Sequence, residues 1–101
     1  MFAWVERSRW ESLTIEEQEK FPPIAPDFVI ELRSRTDSLT ALQAKMQEYL
    51  DNGVRLGWLV NPKDQQVEIY RPDIAVERLS LPTQISGEAV LPGFTLDLPQ
   101  F

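Results

Sequence analysis

Residues 27–33 fall into two interleaved sets: Asp27, Val29, Glu31 and Arg33 on one parity, Phe28, Ile30 and Leu32 on the other. Successive side chains of a strand point to opposite faces, so the segment predicts a strand with an apolar face and a face carrying two acids and a base. The period then changes. Leu39, Leu42, Met46, Tyr49 and Leu50 recur at helical spacing, Asp37 or Ser38 offers an N-cap and Gly53 a stop, which predicts a helix over 38–52. Residues 55–60 read as a second buried strand, the Asn61-Pro62-Lys63-Asp64 run as a turn, and 66–70 as a third strand. Strand, helix and strand with short links predict a right-handed parallel crossover, followed by an antiparallel hairpin.

The flanks are less regular. Residues 1–5 predict a short apolar strand, and a strand with no lead-in usually wants a partner upstream. Ser8 to Glu11 and Thr14 to Glu17 each fit a capping box, predicting two helical turns through Lys20. Pro22, Pro23 and Pro26 predict an extended connector. Further strands are expected over 76–81 and 94–98, the latter after a turn at Leu91-Pro92-Gly93.

The length of 101 residues sets one domain, and a hydrophobic fraction of 43% supports a modest core. Trp4, Trp10 and Trp58 are expected in that core. No apolar run approaches the roughly 20 residues of a membrane span, and no basic-then-apolar leader is seen. A cytoplasmic location without membrane contact is therefore expected. Cysteine and histidine are both absent, which excludes zinc sites of Cys or His ligands and every His-activated nucleophile. Any metal must be held by oxygen, which favours magnesium, manganese or calcium. A net charge of −6 argues against a general nucleic-acid binder. Arg33, Arg35 and Lys45 nevertheless concentrate positive charge around the acidic strand.

Geometry brings the helix to that strand. At about 3.3 Å per residue, Glu31 lies roughly 10 Å back from the strand end near Ser34. At about 1.5 Å per residue the returning helix brings Lys45 back roughly 12 Å, to nearly the same height. Parity leaves open which strand face the helix covers. On the Phe28 face, Lys45 would have to reach around an edge, whereas Arg33 already shares the face of Glu31. Carboxylates holding a hard cation beside a lysine or arginine suit metal-assisted phosphodiester hydrolysis. The plainer readings are a solvated or ion-paired Glu31, a solvated Lys45, and an Arg33 that pairs with Glu31 or Asp27.

The runs Pro26-Asp27-Phe28-Val29-Ile30-Glu31-Leu32-Arg33-Ser34, Leu42-Gln43-Ala44-Lys45-Met46-Gln47-Glu48-Tyr49 and Gly53-Val54-Arg55-Leu56-Gly57-Trp58-Leu59-Val60, with Val67-Glu68-Ile69-Tyr70-Arg71-Pro72 and Leu91-Pro92-Gly93-Phe94, resemble the Uma family of putative restriction endonucleases, within the PD-(D/E)XK nuclease superfamily. The resemblance covers nearly the whole chain from Trp4. It implies that Glu31 matches the metal-binding acid of the E-x-K element, with Arg33 at the position of its lysine and Lys45 where that lysine stands when it has moved to the helix. Asp27 matches a supporting acid. The family also implies a Pro-Asp before an Ala-Trp-Val-like strand, which by counting back from Trp4 would fall at about Met1; this sequence lacks it.

The expectations are therefore these. The fold is α/β, a truncated restriction-endonuclease-like core in which a mixed sheet is joined by one principal helix after the 27–33 strand. Residues 1–101 form a single domain lacking the N-terminal part of the family domain. The function is that of a magnesium- or manganese-dependent DNA endonuclease homologue, with Glu31 as metal ligand, Asp27 in support, and Lys45 or Arg33 stabilising charge. The alternatives are an inactive remnant that dimerises through an exposed strand edge, and a small acidic protein that binds a cation for structure only.

Overall fold

A computed structural model of the protein describes residues 1–19, 25–82 and 84–98. Its elements in chain order are β1 (Phe2–Trp4), α1 (Arg7–Glu11), α2 (Ile15–Glu19), β2 (Phe28–Leu32), α3 (Leu39–Asp51), β3 (Leu56–Asn61), β4 (Gln66–Arg71), β5 (Ile74–Ser80), β6 (Gln84–Ser86) and β7 (Thr95–Asp97). The first five strands form one sheet in sequence order, and β6 with β7 forms a second. Strands β2 and β3 run parallel, with Glu31 opposite Leu59, and the other neighbours are antiparallel. The mixed α/β sheet with one principal helix thus matches the sequence expectation.

Local chemistry explains the elements. Ser38 caps α3 by accepting the Ala41 N–H at 3.2 Å, which satisfies one of the donors a helix start leaves open. Gly53, at φ +107°, turns the chain out of the helix where an L side chain would be strained. The capping box at Thr14 forms in full: Thr14 N–H donates to Glu17 at 2.8 Å and Glu17 N–H donates to Thr14 Oγ1 at 3.1 Å. The box expected at Ser8 does not form. Glu6 starts α1 instead, and the Ser8 hydroxyl donates to the Glu6 carboxylate. Most of the proline-rich connector lies outside the described residues.

Both faces of the sheet are covered. On one, Val29, Leu59 and Tyr70 pack under Met46 of α3, with Leu39, Leu42, Tyr49 and Leu50 around them. On the other, Phe28, Trp58, Val60, Val67 and Ile69 meet Ile85 of β6, and Leu91, Leu96 and Leu98 close over them. Phe28 meets Trp58 edge-on at 4.8 Å between centroids, and Phe94 stacks over Trp58 at 6.3 Å. Trp58 is therefore core, as its sequence context predicts. Strand β6 is not predicted by the sequence: three residues carry too little alternation for a period to register.

Candidate functional site

Helix α3 lies on the Val29 face of β2, the same face to which Asp27, Glu31 and Arg33 belong. Lys45 therefore needs no detour around an edge. Its Nζ stands 3.1 Å from Glu31 Oε1. The same oxygen accepts the Tyr49 hydroxyl at 2.7 Å. Lys45 and Tyr49 are one helical turn apart, which is why both arrive at one acceptor. Both donors converge on Oε1, and Oε2 takes part in neither contact.

Glu31 is only 5% exposed. Burial alone would raise the pKa of its carboxyl. The hydrogen bonds from Tyr49 and Lys45, with the charge of Lys45, outweigh that and hold it below the ordinary carboxylate value. The hydrogen bond to Glu31 raises the pKa of Lys45, with help from Tyr49. The pair is thus an anion and a cation at neutral pH. A lysine held this firmly as an ammonium offers charge rather than a free base. The pKa of Tyr49 is raised by burial and by its bond to Glu31, so its hydroxyl remains a donor.

The other candidates lie elsewhere. Asp27 is four residues from Glu31, or roughly 13 Å along the strand. It is 1% exposed and fully occupied: it accepts the Glu6 N–H at 2.8 Å, a short hydrogen bond from Arg9, and Arg55 lies 3.7 Å away. The structure does not bring Asp27 to Glu31. It makes Asp27 the anchor that fastens α1 and the start of β3 to β2. Arg33 also turns away. Its Nη1 reaches Asp64 at 3.2 Å and Asn61 at 3.3 Å, and its Nε donates to the Asp37 carbonyl at 3.3 Å.

A third buried carboxylate, which sequence reasoning missed, lies on the same face. Glu68 is opposite Leu59 on β4 and is 2% exposed. It accepts from Gln43 of α3 at 2.9 and 3.2 Å, from Tyr70 at 2.7 Å and from Arg78 at 3.3 Å. The signal for it lay in the acid at an interior position of the 66–70 strand. Among the described residues no group of three or more acids, cysteines or histidines is placed to hold a metal ion. Glu31 fits one ligand position of a magnesium ion, which takes one or two carboxylates and completes its shell with water and phosphate.

A family model described as Uma2, putative restriction endonuclease, matches residues 2–99. The chain belongs to the Uma2 family. A solved structure similar to this Uma2 chain is that of a putative nuclease belonging to DUF820 from Anabaena variabilis ATCC 29413. It is 31% identical, covers 73% of this chain and 42% of its own, and superposes with a TM-score of 0.66. The fold of this Uma2 member is accordingly that of a restriction-endonuclease-like core, and the chain spans less than half the length of that neighbour. No curated protein matches it. No helix among the described residues is long and apolar enough to cross a membrane.

Proposed function

We propose that this chain carries the Glu31–Lys45 part of a phosphodiester-cleaving centre that acts on DNA with magnesium or manganese. The observation that carries the reading is the 3.1 Å contact between Lys45 and a carboxylate buried in a parallel strand, with the second carboxylate oxygen outside it. Desolvating an acid is costly, and a purely structural ion pair gains little over apolar packing. A hard cation on Glu31, when bound, would polarise a phosphoryl oxygen and acidify water. The residues of this chain do the rest. Tyr49 fixes the carboxylate, and the Lys45 ammonium offsets charge that builds on the phosphate during cleavage. Arg33 acts at a distance, through the turns it holds. Water and phosphate oxygens would complete the metal shell.

Plasmid cleavage that needs magnesium or manganese and disappears in Glu31→Ala is the expected result. Cleavage undiminished in that variant removes the proposal.

A second reading is a non-catalytic interaction module that pairs with a second copy. One observation favours it. Among the described residues β1 is an edge strand, Phe2 is 56% exposed, and Phe2, Trp4, Phe28, Leu91, Pro92 and Phe94 line an apolar groove of about 300 Å³. Dimers by light scattering that dissociate in Phe2→Lys, together with no cleavage by the wild type, would favour this reading over the first.

A further inference from the structure

Among the described residues of this acidic chain, most positive charge is taken up by internal pairing. Lys20 lies outside the described residues. Of the nine other lysines and arginines, seven reach a carboxylate within 4.0 Å. Among the described residues the two that reach none are Arg35 and Lys63. Both are exposed, and both follow the carboxyl ends of the two parallel strands β2 and β3.

Their placement is alike. Arg35 is the second residue of a turn in which Asp37 N–H donates to Ser34 O at 3.3 Å. Lys63 is the second residue of a turn in which Gln65 N–H donates to Pro62 O at 3.2 Å. Side chains tighten each loop. Ser34 N–H donates to Asp37 Oδ2 at 2.9 Å, and Asn61 Nδ2 donates to Asp64 Oδ2 at 3.0 Å. Arg33 fastens one turn to the other: its N–H bonds Val60 O, its Nε bonds the Asp37 carbonyl, and its Nη1 bonds Asn61 and Asp64. The acids nearby, Asp37 and the half-exposed Asp64, are thus hydrogen-bonded within the turns themselves. Three cations stand here against two carboxylates, in a chain whose net charge is −6.

We propose that Arg35 and Lys63 form a two-point clamp for backbone phosphates of the nucleic acid cut at Glu31 and Lys45, gripping it at the carboxyl end of the two parallel strands. The inference rests on the nuclease reading for its choice of substrate. Fixed loops at the carboxyl ends of parallel strands are where α/β sheets present ligand contacts. Arginine and lysine at turn tips suit phosphates, which position a duplex without reading its sequence. Arg33 is a positioning residue here, since it holds the two tips in register.

The test is anisotropy of a fluorescein-labelled DNA duplex titrated with the full chain in EDTA, where metal-dependent cleavage stops. Each neutralised phosphate contributes about 0.9 to the slope of log affinity against log salt. The Arg35→Ala/Lys63→Ala double variant should bind about tenfold more weakly or worse, and its slope should fall by about 1.8. Arg7→Ala, on the exposed side of α1, should change neither quantity. Equal affinity and slope in the double variant, or no duplex binding by the wild type even at low salt, overturns the clamp. Wild-type binding that depends on Arg35 and Lys63 without any cleavage leaves the clamp standing and removes the nuclease reading. Cleavage with binding indifferent to both residues does the reverse.

Discussion

Glu31 and Glu68 stand in one row across the sheet with Leu59 between them, both buried and both facing α3. Their surroundings differ. Three side chains bind Glu68, and both of its oxygens are used. Only Oε1 of Glu31 is held, by two residues of α3. Both acids therefore tie α3 to the sheet, and Glu31 alone leaves its second oxygen outside those contacts.

Replacing each acid should separate these roles. Glu31→Gln keeps the shape and loses the charge, so cleavage should fall by at least about 100-fold while the fold persists. Glu68→Ala strands Gln43, Tyr70 and Arg78 and should cost about 3 kcal/mol of stability. Urea unfolding beside a cleavage assay on both variants decides it.

Lys45→Ala should lower cleavage by about 10²- to 10³-fold, the scale of a lost charge-stabilising donor. It should cost only about 1 kcal/mol of stability, because the lysine is half exposed and the pair is partly screened. Kinetics at saturating metal together with thermal melting checks both halves. A variant as active as the wild type would return Lys45 to a structural flank.

The pH dependence of the pair has a definite sign. Glu31 titrates lower in the fold than unfolded, so its contribution is fully present above about pH 4.3 and is lost as pH falls through its depressed value. Lys45 titrates higher in the fold, so its contribution is present below about pH 10.4 and is lost as pH rises through its raised value. The stability gap between wild type and Glu31→Gln should be flat between these limits and close on the acid side. Urea midpoints from pH 3 to 7, roughly the span over which carboxylates titrate, give the curve.

Asp27→Ala should destabilise by about 3 kcal/mol, since Arg9 and Arg55 lose a buried partner and the Glu6 N–H its acceptor. Calorimetric binding of manganese should not change beyond what unfolding explains. A specific loss of metal affinity in a folded Asp27→Asn variant would instead make Asp27 a ligand.

Gly57 sits where β3 passes beneath α3. A Cβ there would lie 2.7 Å from Met46 Cε and 3.2 Å from Val29 Cγ2. The Met46 methyl is the flexible end of its chain and can move, so Gly57→Ala should cost about 1 kcal/mol. Gly57→Val cannot be absorbed in that way and should cost about 3 kcal/mol. Thermal melts of the two variants measure the step.

Much of the architecture was legible because it rests on local patterns. The caps at Ser38 and Gly53, the helical stripe from Leu39 to Leu50 and the alternation through β2 each follow from short-range chemistry. So does the height match of Lys45 to Glu31, which needs only the rises of a strand and a helix. Tyr49 could have been read as a second donor, one turn beyond Lys45. Its place in the apolar stripe puts its hydroxyl at the rim of the core, and only packing shows that the rim there is Glu31.

The sequence by itself determined which residues share a face, where α3 begins and ends, and that any metal here must sit on oxygen. It could not say which face of β2 the helix covers, because a strand buried on both sides carries apolar residues on both parities. Tertiary packing decided that, and with it the contact of Lys45 with Glu31. It also sent Arg33 to Asp64 and closed Asp27 behind two arginines. A charged side chain joins whichever partners the folded chain brings within reach, and those partners lie up to 31 positions away in sequence.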